Sequence, residues 1–323
     1  MDKQENFLAE HTKDGGFLQS EYWKNFQENF GNEVFLCQEE NFHGLFVEYK
    51  LPIVGKYWLC PRGPVVSREK KVNAEIRGLI KQAQNRKIGW IRMEPQTLEN
   101  LERIKKSCNF KLVKSPKNHE PEETLMIDLQ SSPDEILSEM KSKTRYNIRL
   151  SQKKGAVFQE EDKKKSFESF WKLLQETSQR DRINTHPKEY YKKMLEVIPE
   201  DKIKLFMAYV GEKPLGGIIV SFYGGVATYL HGASSSSHRN LMANYGLQWH
   251  AIKEAQKVGV KKYDLGGTSV KNKKKTWGGI TRFKKGFCPK CEPVEFPGCH
   301  DLIIDSQKYF LYRLIQKVKN LIK

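Results

Sequence analysis

Two stretches of this chain echo each other, and that echo constrains the fold more than any other feature. Residues 79–92 read LIKQAQNRKIGWIR and residues 251–264 read AIKEAQKVGVKKYD. Each ends an amphipathic helix, passes through a short glycine-containing turn and enters an apolar strand. Alternating, strand-like runs lie upstream of both: EVFLCQEENFHGLFVEYKLPIVGKYWLCPRGP before the first, IKLFMAYVGEKPLGGIIVSFYGGVATYLHGAS before the second. The GEKP around Gly211 is a hairpin turn signal within the latter. The same order of strands, helix and strand in each half predicts an internally duplicated α+β fold. At 323 residues, 38% hydrophobic and 11% aromatic, the chain is long and apolar enough for two packed cores.

The boundary falls where the polar, proline-bearing SPKNHEPEE gives way to the strand TLMIDL, so the halves divide at about residue 122. SSPDEILSEMKSKTRYNIRLSQKKG then reads as one helix, with Ser132 as N-cap, Pro133 in the first helical position and Glu135 completing a capping box. Residues 166–179 and 187–198 read as two further helices. The C-terminal SQKYFLYRLIQKVKNLIK is amphipathic, with Phe310, Leu311, Leu314, Ile315, Val318, Leu321 and Ile322 on one face and Lys308, Arg313, Lys317, Lys319 and Lys323 elsewhere. That pattern suits either a helix that caps a core or one that lies on a membrane.

Basic residues outnumber acidic ones by 56 to 39, a net charge of +17. A merely solvated basic surface satisfies this excess; the sharper reading is a polyanionic partner, either nucleic acid or an anionic membrane surface. No apolar run is long enough to span a bilayer, and the polar N-terminal MDKQENFLAEHTKDGG does not resemble a signal peptide, so a cytoplasmic location is expected. In that compartment disulfides are not expected. Cys37, Cys60 and Cys108 are scattered, as small core residues are. Cys288, Cys291, Cys299 and His300 sit together in CPKCEPVEFPGCH, where the two-residue gap suits zinc but the adjacent last pair is geometrically awkward; a reduced surface hairpin is the competing reading.

A meander followed by helix and strand is also the plan of acetyl-CoA-dependent N-acetyltransferases, which hold the CoA pyrophosphate on a glycine-rich helix N-terminus. Here that position reads SSSSHRNLMANYG, and its only glycine, Gly246, falls inside the helix, which argues against CoA as donor. Arg239 beside the helix start remains able to meet an anion. No Ser-His-Asp order, nucleophile elbow or carboxylate pair is readable. In VKNKKKTWGGITRFKKGF, Lys284 lies between Phe283 and Phe287. A positioned ammonium there would stabilise a tetrahedral oxyanion or a departing sugar hydroxyl; the alternative is a strand-edge lysine facing water. Lys141, Lys143, Arg145, Arg149, Lys153 and Lys154 form a basic helix stripe with Tyr146, and Arg145 and Arg149 share a face suited to phosphates or simply to solvent.

Over nearly its full length the chain resembles the FemABX family of peptidoglycan-bridge aminoacyltransferases. The resemblance is carried by FLQSEYWKNFQ, PRGPVV, RMEP, KTRYNIRLSQKKG, ETSQRDRINTHPKEYYKKML, YLHGASS, RNLMANYGLQWHAIKEAQ, YDLGG and FKKGF, in that order. It implies two tandem acetyltransferase-like (GNAT-like) domains with a substrate cleft between them: residues 1–122 joined by a returning helix at 300–323, and residues 123–299. The short spacing between the helices at 155–200 resembles members that lack the coiled-coil arm. The implied reaction moves an amino acid from aminoacyl-tRNA to the stem peptide of a lipid-linked or UDP-linked muropeptide, with no cofactor and with peripheral contact to the inner membrane surface. The family's site lysine matches Lys284 after Phe283, and its acidic residue matches Glu94. A phosphate-binding lysine of the family falls on Gln27, an arginine on His186, one tyrosine on Tyr190 and another on His231. Losing two cations disfavours the same UDP-muropeptide contacts and makes a lipid-linked acceptor the easier inference. The rival readings are an N-acyltransferase with a different donor or a non-peptidoglycan amine, and a non-catalytic tRNA- or membrane-binding protein on the same fold.

Overall fold

A computed structural model describes residues 3–67, 72–271 and 277–321. In chain order the elements are α1 (Lys3–His11), α2 (Glu21–Asn29), β1 (Val34–Glu39), β2 (Phe42–Leu51), β3 (Gly55–Cys60), β4 (Val65–Val66), α3 (Asn73–Asn85), β5 (Ile88–Met93), α4 (Leu98–Lys106), β6 (Leu112–Lys114), β7 (Glu123–Asp128), α5 (Pro133–Glu139), α6 (Ser142–Lys153), β8 (Val157–Glu161), α7 (Phe167–Asp181), α8 (Lys188–Val197), β9 (Ile203–Val210), β10 (Lys213–Tyr223), β11 (Val226–Ser234), α9 (Ala243–Lys257), β12 (Lys262–Gly267), α10 (Gly278–Phe287), β13 (Val294–Glu295), β14 (His300–Ile303) and α11 (Ser306–Leu321). They fall into two compact units: Met1–Glu122 with Glu295–Lys323, and Glu123–Val294.

In the first unit the sheet runs β1-β2-β3-β5-β14-β6, with β4 beside β2. The meander β1-β2-β3 is antiparallel, and α3 then carries the chain over to β5, parallel to β3. Ile76, Leu79, Ile80 and Ala83, spaced for one helix face, bury α3 against this sheet. The second unit repeats the plan in β13-β7-β12-β11-β10-β9-β8: β9-β10-β11 is antiparallel, and α9 leads to β12, parallel to β11. The two echoing segments are thus the end of α3 with β5 and the end of α9 with β12, and the fold is a tandem GNAT-like α+β architecture. Gly246 in α9 has a packing reason. A Cβ there would meet the Phe158 ring at 2.2 Å and Ser151 Oγ at 2.5 Å, so only glycine lets α9 approach α6 and β8 this closely.

The first unit regains the chain at Glu295, before the expected residue 300, because the segment ahead of β14 is already tied into it. Phe296 lies under the Arg62 guanidinium at 3.6 Å and Cys299 is fully buried. Buried Asp301 on β14 accepts two hydrogen bonds from Arg92, at 2.8 and 2.9 Å, and one from Tyr309 of α11 at 3.0 Å. Tyr312 of α11 stacks on Trp90, which stacks on Tyr57, with centroids 4.6 and 4.9 Å apart.

Two expectations need correcting. The long helix after β7 is two helices. The capping box on Ser132 and Glu135 forms as expected, but Met140 turns to an extended conformation at ψ 155°, because Lys141 N–H bonds Gly286 O at 2.9 Å instead of continuing the helix. In α11 the inward residues are Tyr309 and Tyr312, with Leu311 and Ile315 partly buried beside them, while Phe310, Leu314 and Val318 face outward. The tyrosines win the inner face because their hydroxyls reach Arg92 and Asp301 while their rings cover Trp90. The side chains of Leu321, Ile322 and Lys323, and the Lys-rich residues 272–276, lie outside the described residues.

Candidate active site

FKKGF lies on a helix rather than on a tail or a strand edge. Within α10, Phe283 packs edge-on against Tyr245 and Phe287, at 5.0 and 5.1 Å, which fixes the helix on the second core. Lys284, the next residue, points inward and is only 6% exposed. Its Nζ donates to Gly267 O at 2.8 Å and stands 5.3 Å from the centre of the Tyr229 ring. Burial pulls this amine down from 10.5 to about 8, against the opposing pull of the Asp264 carboxylate. An ammonium so placed is partly desolvated and directed, the condition under which a cation stabilises developing negative charge most strongly.

The floor beneath Lys284 is the end of β12, Asp264-Leu265-Gly266-Gly267. Asp264 Oδ1 accepts from Gly266 N at 2.7 Å, and Thr124 Oγ1 lies within hydrogen-bonding reach of both Asp264 Oδ1 and Gly266 O. Gly266 sits at φ +72°, and a Cβ there would lie 2.7 Å from Tyr229 O and 3.4 Å from Lys284 Nζ. The loop after β12 is held by buried Glu123, whose Oε2 accepts from Val270 N and Lys271 N at 2.8 and 3.0 Å. Thr124, Tyr229, Asp264 and Gly266 were not singled out from the sequence as site residues. The DLGG turn at a strand end was the available signal, since consecutive glycines after an acidic residue mark backbone that turns tightly around something.

A second group forms on β11 and the start of α8. His186 stacks on Tyr190 at 3.9 Å, and His231 stands edge-on to Tyr191 at 5.0 Å and to His186 at 6.1 Å. The Tyr191 hydroxyl accepts from His186 N at 3.2 Å, and burial raises its phenol. The structure therefore brings His231 of β11 beside His186 and Tyr190, and adds Tyr191.

Gln27 and Glu94 belong to the first unit. Gln27 is buried, and its Oε1 accepts from Asn32 Nδ2 at 2.7 Å. Glu94, 2% exposed, is an internal anchor. Its Oε1 accepts from His119 N, Glu120 N and Cys299 Sγ at 3.1, 2.8 and 2.8 Å, and its Oε2 from Arg62 N at 3.3 Å. Gly63 O receives the Glu94 N–H at 2.7 Å, and Gln19 Nε2 donates to Pro61 O at 2.6 Å, so FLQS, PRGP and RMEP meet in one knot. The four candidate zinc ligands do not assemble. Cys299 donates to Glu94, His300 Nδ1 faces Gly298 O at 3.1 Å, and Cys288 and Cys291 hydrogen-bond each other, which lowers Cys291 and raises Cys288. Among the described residues no group of three or more His, Cys, Asp or Glu is placed to hold a metal ion.

Of the basic positions, Arg145 donates through Nη1 to the carbonyls of Ser138, at 3.0 Å, and Met140, closing the broken end of α5. Arg149 and Tyr146 are exposed on α6, and Arg239 is exposed in the turn before α9. That turn is no phosphate cradle. Ser236 N–H is taken by Glu176 Oε1 at 2.5 Å and Ser237 N–H by Ser235 Oγ at 3.1 Å. The Glu176 carboxylate, itself lowered by the Ser236 N–H, thus takes a backbone donor of this turn.

Comparison with known proteins agrees with this geometry. Residues 138–285 match the family model described as an acetyltransferase (GNAT) domain. The lipid II:glycine glycyltransferase of Staphylococcus aureus is 24% identical, covering 84% of this chain and 81% of the relative. The crystal structure of FemX superimposes with a TM-score of 0.81 at 21% identity over 98% of both chains. The structure of L-PGS from Bacillus licheniformis superimposes with a TM-score of 0.58 at 13% identity, covering 98% of this chain and 97% of that one. Fold and site together define a transferase of the tandem GNAT-like class. Within that class, the chain is similar to the lipid II:glycine glycyltransferase and to FemX.

Proposed function

We propose that this protein transfers an aminoacyl group from aminoacyl-tRNA to an amine on the stem peptide of a lipid-linked peptidoglycan precursor. The observation that carries the reading is the buried Lys284 ammonium above the DLGG turn. An aminoacyl ester is already activated, so no covalent enzyme intermediate is needed. The neutral acceptor amine attacks the ester carbon, the C–N bond forms, and the carbonyl oxygen becomes an oxyanion that Lys284 faces. Collapse breaks the ester C–O bond, and the departing ribose oxygen takes a proton, from the Lys284 ammonium or from the new C–N centre. Deprotonation of the acceptor amine falls to the substrate itself. His186, Tyr190 and His231 supply a flat aromatic surface for acceptor or donor, and Lys284 and the β12 turn form the reacting end, with Phe283 anchoring α10 on the core.

Two observations support tRNA over CoA as donor. Glu176 and Ser235 already take the Ser236 and Ser237 N–H groups in the turn ahead of α9, which leaves fewer backbone donors for a CoA pyrophosphate. Arg149, Tyr146 and Lys143 are exposed along α6, as phosphate-contacting side chains with an aromatic would be, and Arg239 adds a cation before α9. The likeness to a lipid II:glycine glycyltransferase favours a lipid-borne acceptor, which would bring the protein to the inner membrane surface. Among the described residues no helix is long and apolar enough to cross a membrane, so such contact would be peripheral. The test is an acceptor screen: the purified chain with a full set of charged tRNAs and either lipid-linked or UDP-linked muropeptide, read by mass. One added residue on the lipid-linked stem is expected. Product from acetyl-CoA but from no charged tRNA reverses the donor, and binding of tRNA without product from any acceptor leaves a binding protein.

A further inference from the structure

The outward face of α11 is the least explained surface of the first unit. Phe310, Leu314 and Val318 are 69%, 47% and 47% exposed. Spaced four residues apart, they spread over about 80° of the helix, on the side away from Tyr309 and Tyr312. Core packing therefore does not account for them, because the aromatic stack on Trp90 already uses the inner face. The neighbouring turn between β2 and β3 adds a fourth apolar side chain. Val54 of that turn packs in the same cluster as Tyr309 and Tyr312, and a Cβ on Gly55 would lie 3.8 Å from Lys308 Cδ. Between Val54 and Pro52, Ile53 stands at φ 69° with 88% of its surface exposed. A β-branched residue held at positive φ on a hairpin tip is costly in backbone terms and gains nothing from the core.

Charge separates the possible occupants. The α11 sequence SQKYFLYRLIQKVKNL contains no Asp or Glu. Lys317 is exposed and lies about 20° from Phe310 around the helix, and Arg313 lies about 60° from it on the same side. At the hairpin, Lys50 is exposed too. Apolar side chains interspersed with cations and no anion match an anionic bilayer surface, where rings and aliphatics enter the acyl boundary while Lys and Arg meet lipid phosphates. A second copy of this chain, carrying +17, would bring like charges together at such a face.

We infer that the outer face of α11 and the Ile53 hairpin tip form a docking surface for an anionic membrane. Neither signal suffices alone: a short apolar stripe inserts weakly, and a few cations hold a surface reversibly, but together they give stable yet releasable attachment. This deepens the reading of a lipid-borne acceptor and rests on that reading for its purpose, since a membrane-held enzyme meets a lipid-held substrate in two dimensions. The surface itself is testable without any substrate.

The experiment is sedimentation of the full-length chain with vesicles of phosphatidylcholine alone or with about a third phosphatidylglycerol. Binding to the anionic vesicles only is expected, weakening with salt. Phe310→Ser/Leu314→Ser should lower it roughly tenfold or more. Ile53→Ser, on a separate element, should lower it in the same direction, and Lys317→Gln should lower it on anionic vesicles. All variants should keep wild-type melting and wild-type turnover on a detergent-dispersed acceptor. No vesicle binding by the wild type, or binding unchanged by both apolar variants, overturns the inference. A dimer that Phe310→Ser/Leu314→Ser dissociates, without vesicle binding, assigns the face to a second copy instead. Vesicle binding without transfer overturns the functional reading alone, and transfer without vesicle binding overturns this inference alone.

Discussion

Replacing Lys284 with methionine should make the protein more stable and nearly inactive. The buried amine moves from 10.5 to about 8, and at ~1.4 kcal/mol per tenfold in proton affinity this corresponds to a burial cost of about 3 kcal/mol. Below about pH 8 the ammonium is charged in both folded and unfolded chains, so the full cost is present. Between there and 10.5 the folded state is neutral while the unfolded chain still binds a proton, so stability rises with pH and the cost fades. Methionine fills a similar volume without the charge. It forfeits the hydrogen bond to Gly267 O, worth ~1 kcal/mol, and the cation–π contact with Tyr229, worth ~0.5–1 kcal/mol. The net gain is about 1–1.5 kcal/mol at pH 7, and at ~2–4 °C per kcal/mol the second unit should melt about 2–6 °C higher. Paired thermal scans of wild type and variant from pH 7 to 10.5 would measure the difference, and pairing cancels every other titrating group. Turnover should fall by about 10²–10³, the usual effect of removing one oxyanion-facing donor. A variant that melts several degrees lower at pH 7 refutes the burial argument, and one with normal turnover removes Lys284 from catalysis.

Other outcomes follow from the same geometry. With Lys284 acting as the ammonium, as proposed, turnover under saturating substrate should decline as pH rises through about 8, and a rate that keeps climbing past pH 9 (well above ~8) contradicts that role. Gly266→Ala adds a Cβ 2.7 Å from Tyr229 O at a positive φ, so turnover should drop by ~10-fold or more, with a loss of about 1–3 kcal/mol in denaturant unfolding. Glu94→Gln keeps the shape but turns an NH2 toward backbone donors. Unfolding of the first unit should become easier by about 2–3 kcal/mol, whereas a residue with only a substrate-binding role would leave unfolding unchanged. Glu176→Ala frees the Ser236 N–H, yet acetyl-CoA should still not bind measurably in calorimetry, because Met242 N–H and Leu241 N–H remain tied to Arg239 O and His238 O.

How much of this was legible depended on the range of the interactions involved. The duplicated plan shows in the echo at 79–92 and 251–264 because it rests on periodicity within each segment, and the Ser132–Glu135 capping box rests on a three-residue spacing. Gly246 could be placed inside α9 from the pattern, although its reason, contact with Phe158 and Ser151, is tertiary. The break at Met140 was not readable, because it depends on Gly286, far along the chain. The inner face of α11 was misassigned because hydrophobic patterning counted aliphatics and Phe310, while the stack on Trp90 and the polar pair Arg92–Asp301 recruit tyrosines. Cys299 looked like a metal ligand by spacing, and its partner Glu94, just past the end of β5, lies far from it in sequence. Family likeness located Lys284 and gathered His186, Tyr190 and His231, but the residues that hold Lys284 in place became apparent only once β12 and α10 were folded against each other.

The most direct test of the account is a single-turnover reaction with one labelled aminoacyl-tRNA and lipid-linked muropeptide, run with wild type and Lys284→Met in parallel. The account predicts label moving from tRNA to the stem peptide with wild type, at least ~100-fold slower with the variant at equal tRNA binding. Equal rates for the two proteins, or label that leaves the tRNA only as free amino acid, would contradict it.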